Sequence, residues 1–263
     1  MATLDRRQLL YAGALAGLGY ALTPPLDPRQ REVERFFAFA RRELGELLDD
    51  VALRIERCIK RVLYKDVRTG KVVGFFYDYD GPPSTQKIEE RKSQLARQRN
   101  IPAEAIGAKV YDISAGYDYK KRTIILSRER VLNREKGPIL EDISHEAVHA
   151  AINVDYRGPH ETAIRHKDEA VAVALGKVQL VMQYKLGSPL VNAALVEERA
   201  RKQLLARAEL FRTEARFRDD PIGGLSYGFT PEDIDYAARL AGSRLPIKEK
   251  LLQARRDISA LLG

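Results

Sequence analysis

The sequence of this 263-residue chain predicts an α+β fold, predominantly helical, with a small sheet. Three observations lead there. Apolar residues recur every three to four positions around 33–55, 140–152 and 195–215, the spacing of a buried helix face. Two apolar runs, 62–67 and 72–77, flank Arg68-Thr69-Gly70-Lys71 and form a hairpin signal with glycine in the turn. The β-branched run Arg122-Thr-Ile-Ile-Leu-Ser127 reads as a further strand.

The first 28 residues form a unit of their own. Asp5-Arg6-Arg7-Gln8-Leu9-Leu10 precedes a mild Ala/Gly/Leu run to Leu22, then Thr23-Pro24-Pro25. A paired arginine, two leucines and a short apolar stretch resemble a twin-arginine export signal, with Gly19-Tyr20-Ala21 as a small-x-small cleavage site. The resemblance implies a periplasmic or extracellular location. A plain N-terminal helix on a cytoplasmic protein is the alternative. The run is short for a membrane span, and if retained it could act as a weak membrane anchor.

Residues 29–187 read as the main domain. From 29 to about 59, Val33, Phe36, Phe37, Phe39, Ala40, Leu44, Leu47, Leu48, Val51, Leu53 and Ile55 predict one or two amphipathic helices. The hairpin follows and stops at Gly81-Pro82-Pro83. Residues 84–99 return to a polar helix, and Ile101-Pro102-Ala103-Glu104 begins a short turn or helix. The strand at 123–127 is expected to offer a free edge to an extended peptide. Residues 188–263 read as a C-terminal helical region. A long helix is predicted at about 191–217, with Leu195, Leu204, Leu205, Ala208, Phe211 and Ala215 on its apolar face. Thr230-Pro231-Glu232-Asp233 is a helix start, with a Thr cap, proline at the first position and acids behind.

The net charge of +8 is spread among acidic residues along helices. That pattern favours a solvated surface over a nucleic-acid site, so no nucleic acid is expected as a partner. A lone cysteine, Cys58, excludes an internal disulfide and any multi-cysteine zinc site.

All four histidines, His145, His149, His160 and His166, fall within 22 residues of one another. His145 and His149 are one helical turn apart, so both imidazoles face the same way and can take one tetrahedral zinc. Glu146 then projects beside the metal, where a carboxylate can act as general base on a zinc-activated water. Leu140, Ile143, Ala147, Val148, Ala151 and Ile152 bury one side of this helix, and Gly137-Pro138 followed by Glu141 and Asp142 suits its start. A second helical stretch, 168–175, carries Glu169, with nineteen residues between it and His149.

His145-Glu146-Ala147-Val148-His149 is an HExxH pattern, and with Glu169 it resembles the gluzincins, zinc peptidases whose third ligand is a glutamate on a later helix. The order strand, HExxH helix, loop and glutamate helix also looks like the compact gluzincins, including the ImmA/IrrE-type proteins. The resemblance covers about residues 117–176. It implies a zincin-like core, Zn2+ bound by His145, His149 and Glu169, catalysis by Glu146, and a protein or peptide substrate. The thermolysin group carries an aspartate four residues after its ligand glutamate; this chain has Val173 there, and no histidine follows His166.

Asp155, His160 and His166 are rival third ligands. Asp155 would need a sharp chain reversal at 152, where β-branched Ile152 resists the positive φ that glycine would supply. Tyr156, His160 or His166 could donate a hydrogen bond to the reacting carbonyl, and Asp168 or Asp142 could orient a ligand imidazole. A non-catalytic zinc-binding regulatory or structural protein, and a basic helical nucleic-acid binder with an accidental motif, are the competing functional readings.

Overall fold

In the computed structural model, residues 27–78, 83–133, 136–154, 161–188, 191–213 and 228–262 are described. The export-type segment and the loop residues Asp155, Tyr156 and His160 lie outside them. Among the described residues, no helix is long and apolar enough to cross a membrane. The class is α+β and mostly helical, with two three-stranded sheets.

Helix α1 (Pro28–Leu44) starts under an Asp27 cap, whose carboxylate accepts from the Arg29 N–H, and has proline in its first turn. It buries Val33, Phe36, Phe37, Ala40 and Leu44. Gly45 ends it at φ 55°, a left-handed geometry that glycine reaches without a Cβ penalty. The helix expected to continue to about 59 is instead a strand, β1 (Ala52–Glu56). Leu53 and Ile55 fit either period over so short a run. Parallel pairing with the strand at Thr123–Ser127 decides the matter.

The predicted hairpin forms as β2 (Ile59–Asp66) and β3 (Val72–Asp78), turning through Gly70 at φ 69°. Helix α2 (Thr85–Arg99) is capped by Ser84 and packs Leu95 and Ala96 against Val62 and Tyr64. The short helix expected from Ile101-Pro102-Ala103-Glu104 forms as a 3-10 turn at Ala103–Ala105, and it leads into β4 (Ile106–Ile113), which pairs along β2. The result is a sheet ordered β3-β2-β4. The second sheet is ordered β1-β6-β5, with β5 (Ala115–Asp118) antiparallel to β6 (Thr123–Ser127). All of β6 is buried and it is paired on both sides, so the free edge expected at 123–127 does not exist. Strand β5 forms the edge beside the histidine helix.

After α3 (Arg128–Asn133), α4 (Lys136–Ile152) carries His145 and His149. Its end is fixed by Asn153 at φ 46°, whose N–H donates to the His149 carbonyl. The Tyr117 hydroxyl on β5 donates to the Asn153 side chain at 3.0 Å. Helix α5 (Glu161–Val171) runs directly into a π-helical stretch (Ala172–Leu180) and then α6 (Val181–Leu186). Sequence periodicity gives no sign of the wider π turns.

The π stretch crosses α4 at Gly176, where an added Cβ would meet the Ser144 carbonyl oxygen at 2.6 Å and the His145 Cα at 3.1 Å. Both obstacles are backbone and cannot swing aside. Gly176→Ala is therefore expected to destabilise the fold by about 1–3 kcal/mol in urea denaturation. An unchanged midpoint would show that the helices do not touch there.

The C-terminal helices complete the same apolar core that holds α1 and α4. Helix α7 (Ala193–Thr213) buries Val196, Ala200, Leu204 and Ala208. Leu195 and Leu205, expected on that face, are exposed; the strict four-residue stripe wins because α8 (Pro231–Gly242) packs closely along it. Helix α8 opens on the predicted Thr230 cap, which forms a reciprocal capping box with Asp233.

From α9 (Ile247–Ser259), buried Lys250 donates to the Gln179 side chain and to the Ala241 carbonyl at the end of α8. Burial pushes its ammonium down to about 8 from an ordinary value of 10.5. Between those values the unfolded chain binds the extra proton, so stability rises with pH; below about 8 the penalty is constant. Unfolding free energy is expected to gain about 2 kcal/mol from pH 7 to 9.5, a gain absent in Lys250→Met. Parallel pH profiles for the two proteins in urea denaturation would exclude this role.

Candidate metal centre

The His145 and His149 side chains project from successive turns of α4 with their ring centroids 4.5 Å apart and nearly perpendicular. Their Nε2 atoms approach to 3.0 Å. From α5, the Glu169 carboxylate reaches both: Oε2 is 3.1 Å from His145 Nε2 and Oε1 is 3.7 Å from His149 Nε2. One donor atom from each of the three residues lies within 4.8 Å of the others. Two imidazole nitrogens and one carboxylate suit zinc, and three protein ligands leave a position open for water.

Asp168, the residue before Glu169, sits behind this cluster. Its Oδ2 is 2.6 Å from His149 Nδ1, and its side chain is 1% exposed. The pairing turns His149 so that Nε2 points toward Glu169 and His145. Of the two aspartates that the sequence offered for this task, Asp168 performs it. Asp142 instead lies 3.8 Å from the ammonium of Lys177. His145 Nδ1, by contrast, is buried with no hydrogen-bond partner among the described residues.

The electrostatics of the cluster follow from its burial and its two carboxylates. For His149, burial opposes the charged form, but the charges of Asp168 and Glu169 and the bonds to them hold its pKa well above the usual value. Burial likewise works against ionised Glu169, and His149 and His145 outweigh it, keeping the carboxyl well below its usual range. Desolvation, together with the neighbouring positive His149, drives His145 down to about 3. Glu146 has no such partner strong enough to offset its desolvation. Burial first, and the negative Glu169 with it, push its carboxyl up to about 7.

Removing the carboxylate behind a ligand imidazole weakens metal binding without removing a ligand. Asp168→Asn is expected to lower zinc affinity about 10–100-fold in competition with a chromophoric chelator. A variant that holds zinc as tightly as wild type would show that Asp168 plays no part in the site.

Of the remaining sequence candidates, His166 faces elsewhere. Its ring lies against Gly228, where an added Cβ would meet His166 Nε2 at 3.1 Å. No protein-family model, curated protein or solved structure matches this chain.

Proposed function

We propose that the protein is a zinc-dependent metallopeptidase with a zincin-like, gluzincin-type centre. The observation that carries this reading is the convergence of His145, His149 and Glu169 to within 4.8 Å, with Glu146 on the turn between the two histidines. Zinc held by these three residues would supply Lewis acidity and lower the pKa of a water. His145 and His149 would each offer a ring nitrogen to the metal, and Asp168 fixes the second ring. Glu146 takes a proton from the attacking water and returns it to the departing amine. Its carboxyl, between the two ligand histidines in sequence, is the group placed to accept the proton and give it back. An extended peptide adds its main chain to the outer edge of β5, which packs against α4.

The test is elemental analysis of the dialysed full-length chain, followed by digestion of a proteome-derived peptide mixture read by mass spectrometry. Near-stoichiometric zinc, with cleavage abolished by a chelator and restored by zinc, is expected. Zinc without cleavage would leave a metal-binding module, and a protein free of zinc would end the peptidase reading.

A further inference from the structure

The sheet that carries β5 has a second open edge. Among the described residues β1 pairs only with β6, so the main-chain groups along its outer side have no strand partner. A cavity of about 850 Å³ lies between that strand and α1. Its helix wall is one stripe, Gln30, Glu34, Ala38 and Arg41, spaced by three or four residues. Leu53 and Ile55, which share one face of β1, line the opposite side. Arg54 and Glu56 alternate with them and pair with each other at 2.6 Å, so the groove face of the strand is the apolar one. From Gln30 to Arg41 the helix rises about 16 Å, and the five residues of β1 span about the same length.

Two polar groups in the groove lack partners. Gln30 is 9% exposed, and among the described residues its side-chain amide makes no hydrogen bond. An amide left unpaired in so enclosed a place costs free energy that a ligand can recover, and its donor and acceptor match those of a peptide group. Glu34, one turn further on, is exposed and has no ion-pair partner among the described residues. Arg41 is already engaged: its guanidinium lies 4.7 Å over the Phe37 ring and donates to the Val51 carbonyl. Glu34 is therefore the charge still open to a ligand.

We propose that this groove is a peptide-docking site. An extended segment of about five residues adds to the outer edge of β1, lays alternate apolar side chains over Leu53 and Ile55, and sets a lysine or arginine against Glu34. The Gln30 amide bonds the main chain of the segment. A second copy of this chain fits less well, because its β1 would bring its own α1 into the same groove. The site lies across β6 from β5 and uses no metal ligand, so it does not depend on the metallopeptidase reading.

The test probes an array of acetylated, amidated pentapeptides of varied sequence with the full chain in excess chelator, which prevents any metal-dependent cleavage. Fluorescence anisotropy on the best-bound peptide follows. Bound peptides are expected to share a lysine or arginine at one position and apolar residues at alternate ones. Glu34→Gln should weaken the best peptide about threefold and erase the preference for a basic residue. N-methylation of the alternate amides that face β1 should weaken it about fivefold, and methylation of the intervening amides should do little. Ala38→Arg, at an exposed helix position, fills the groove and should abolish binding while leaving the unfolding midpoint unchanged. Undiminished binding by Ala38→Arg would put the peptide elsewhere and overturn the site. An array with no peptide bound better by wild type than by Ala38→Arg would do the same. Equal effects of methylation at every amide would overturn strand addition. A wild-type dimer in light scattering that Ala38→Arg splits would give the groove to a second copy instead. Docking by a protein that holds no zinc would end the peptidase reading and leave this site standing.

Discussion

Peptide hydrolysis by Glu146→Gln is expected to fall about a thousandfold below wild type while its zinc content stays the same. Glutamine matches glutamate in shape and can still hydrogen-bond, but its amide cannot accept a proton. Glu146 lies outside the group of converging donors formed by His145, His149 and Glu169, so the metal should not register the change. The substitution also removes a carboxyl whose ionisation burial already disfavours, and the variant should unfold no more readily than wild type. Initial rates on the best-cleaved peptide of the mixture, with elemental analysis of the same sample, decide the matter. Comparable rates for the two proteins would remove Glu146 from the mechanism. Loss of zinc along with activity would make it a ligand or a support of the site instead of its base.

Glu169→Ala and His149→Ala should each emerge from dialysis without zinc, and therefore without activity. Each substitution removes one of three protein ligands, a heavier loss than the outer-partner effect of about 10–100-fold expected for Asp168→Asn. The two variants differ in what they leave behind. Without Glu169, His149 keeps Asp168 at its Nδ1, so the imidazole remains oriented and only the third donor is missing. Without His149, Asp168 is left as a nearly inaccessible carboxylate with its ring partner gone. Loss of that buried hydrogen bond should cost His149→Ala about 1–3 kcal/mol of stability as well. Retention of zinc by Glu169→Ala would place the third ligand elsewhere and dismiss the gluzincin-type centre.

Much of the centre was legible before any coordinates. Four-residue spacing on a helix places His145 and His149 on one face whatever the rest of the chain does, because helical geometry is local. The cap at Thr230, the Gly70 hairpin and the buried stripe of α1 were readable for the same reason: each depends on residues within a turn or two of one another. Glu169 was identified through a resemblance in spacing, and the fold brings its carboxylate to both imidazoles.

Tertiary structure decided whatever depends on partners distant in sequence. Residues 52–56 look equally suited to a helix, and become a strand because β6, some seventy residues later, pairs with them. The same pairing places β6 between two neighbours and transfers the open edge to β5. The choice of Asp168 over Asp142 followed from the face that α5 turns toward α4. The close crossing at Gly176 and its π-helical register belong to that contact too, since a helix read alone shows no preference for wider turns. The sequence by itself determined which residues could ligate a metal and which carboxylate could serve as base, since those properties reside in side-chain chemistry and helical spacing. Which groups support them, and which face them across the site, was decided by long-range packing, because contacts between distant segments leave no periodic trace in either one.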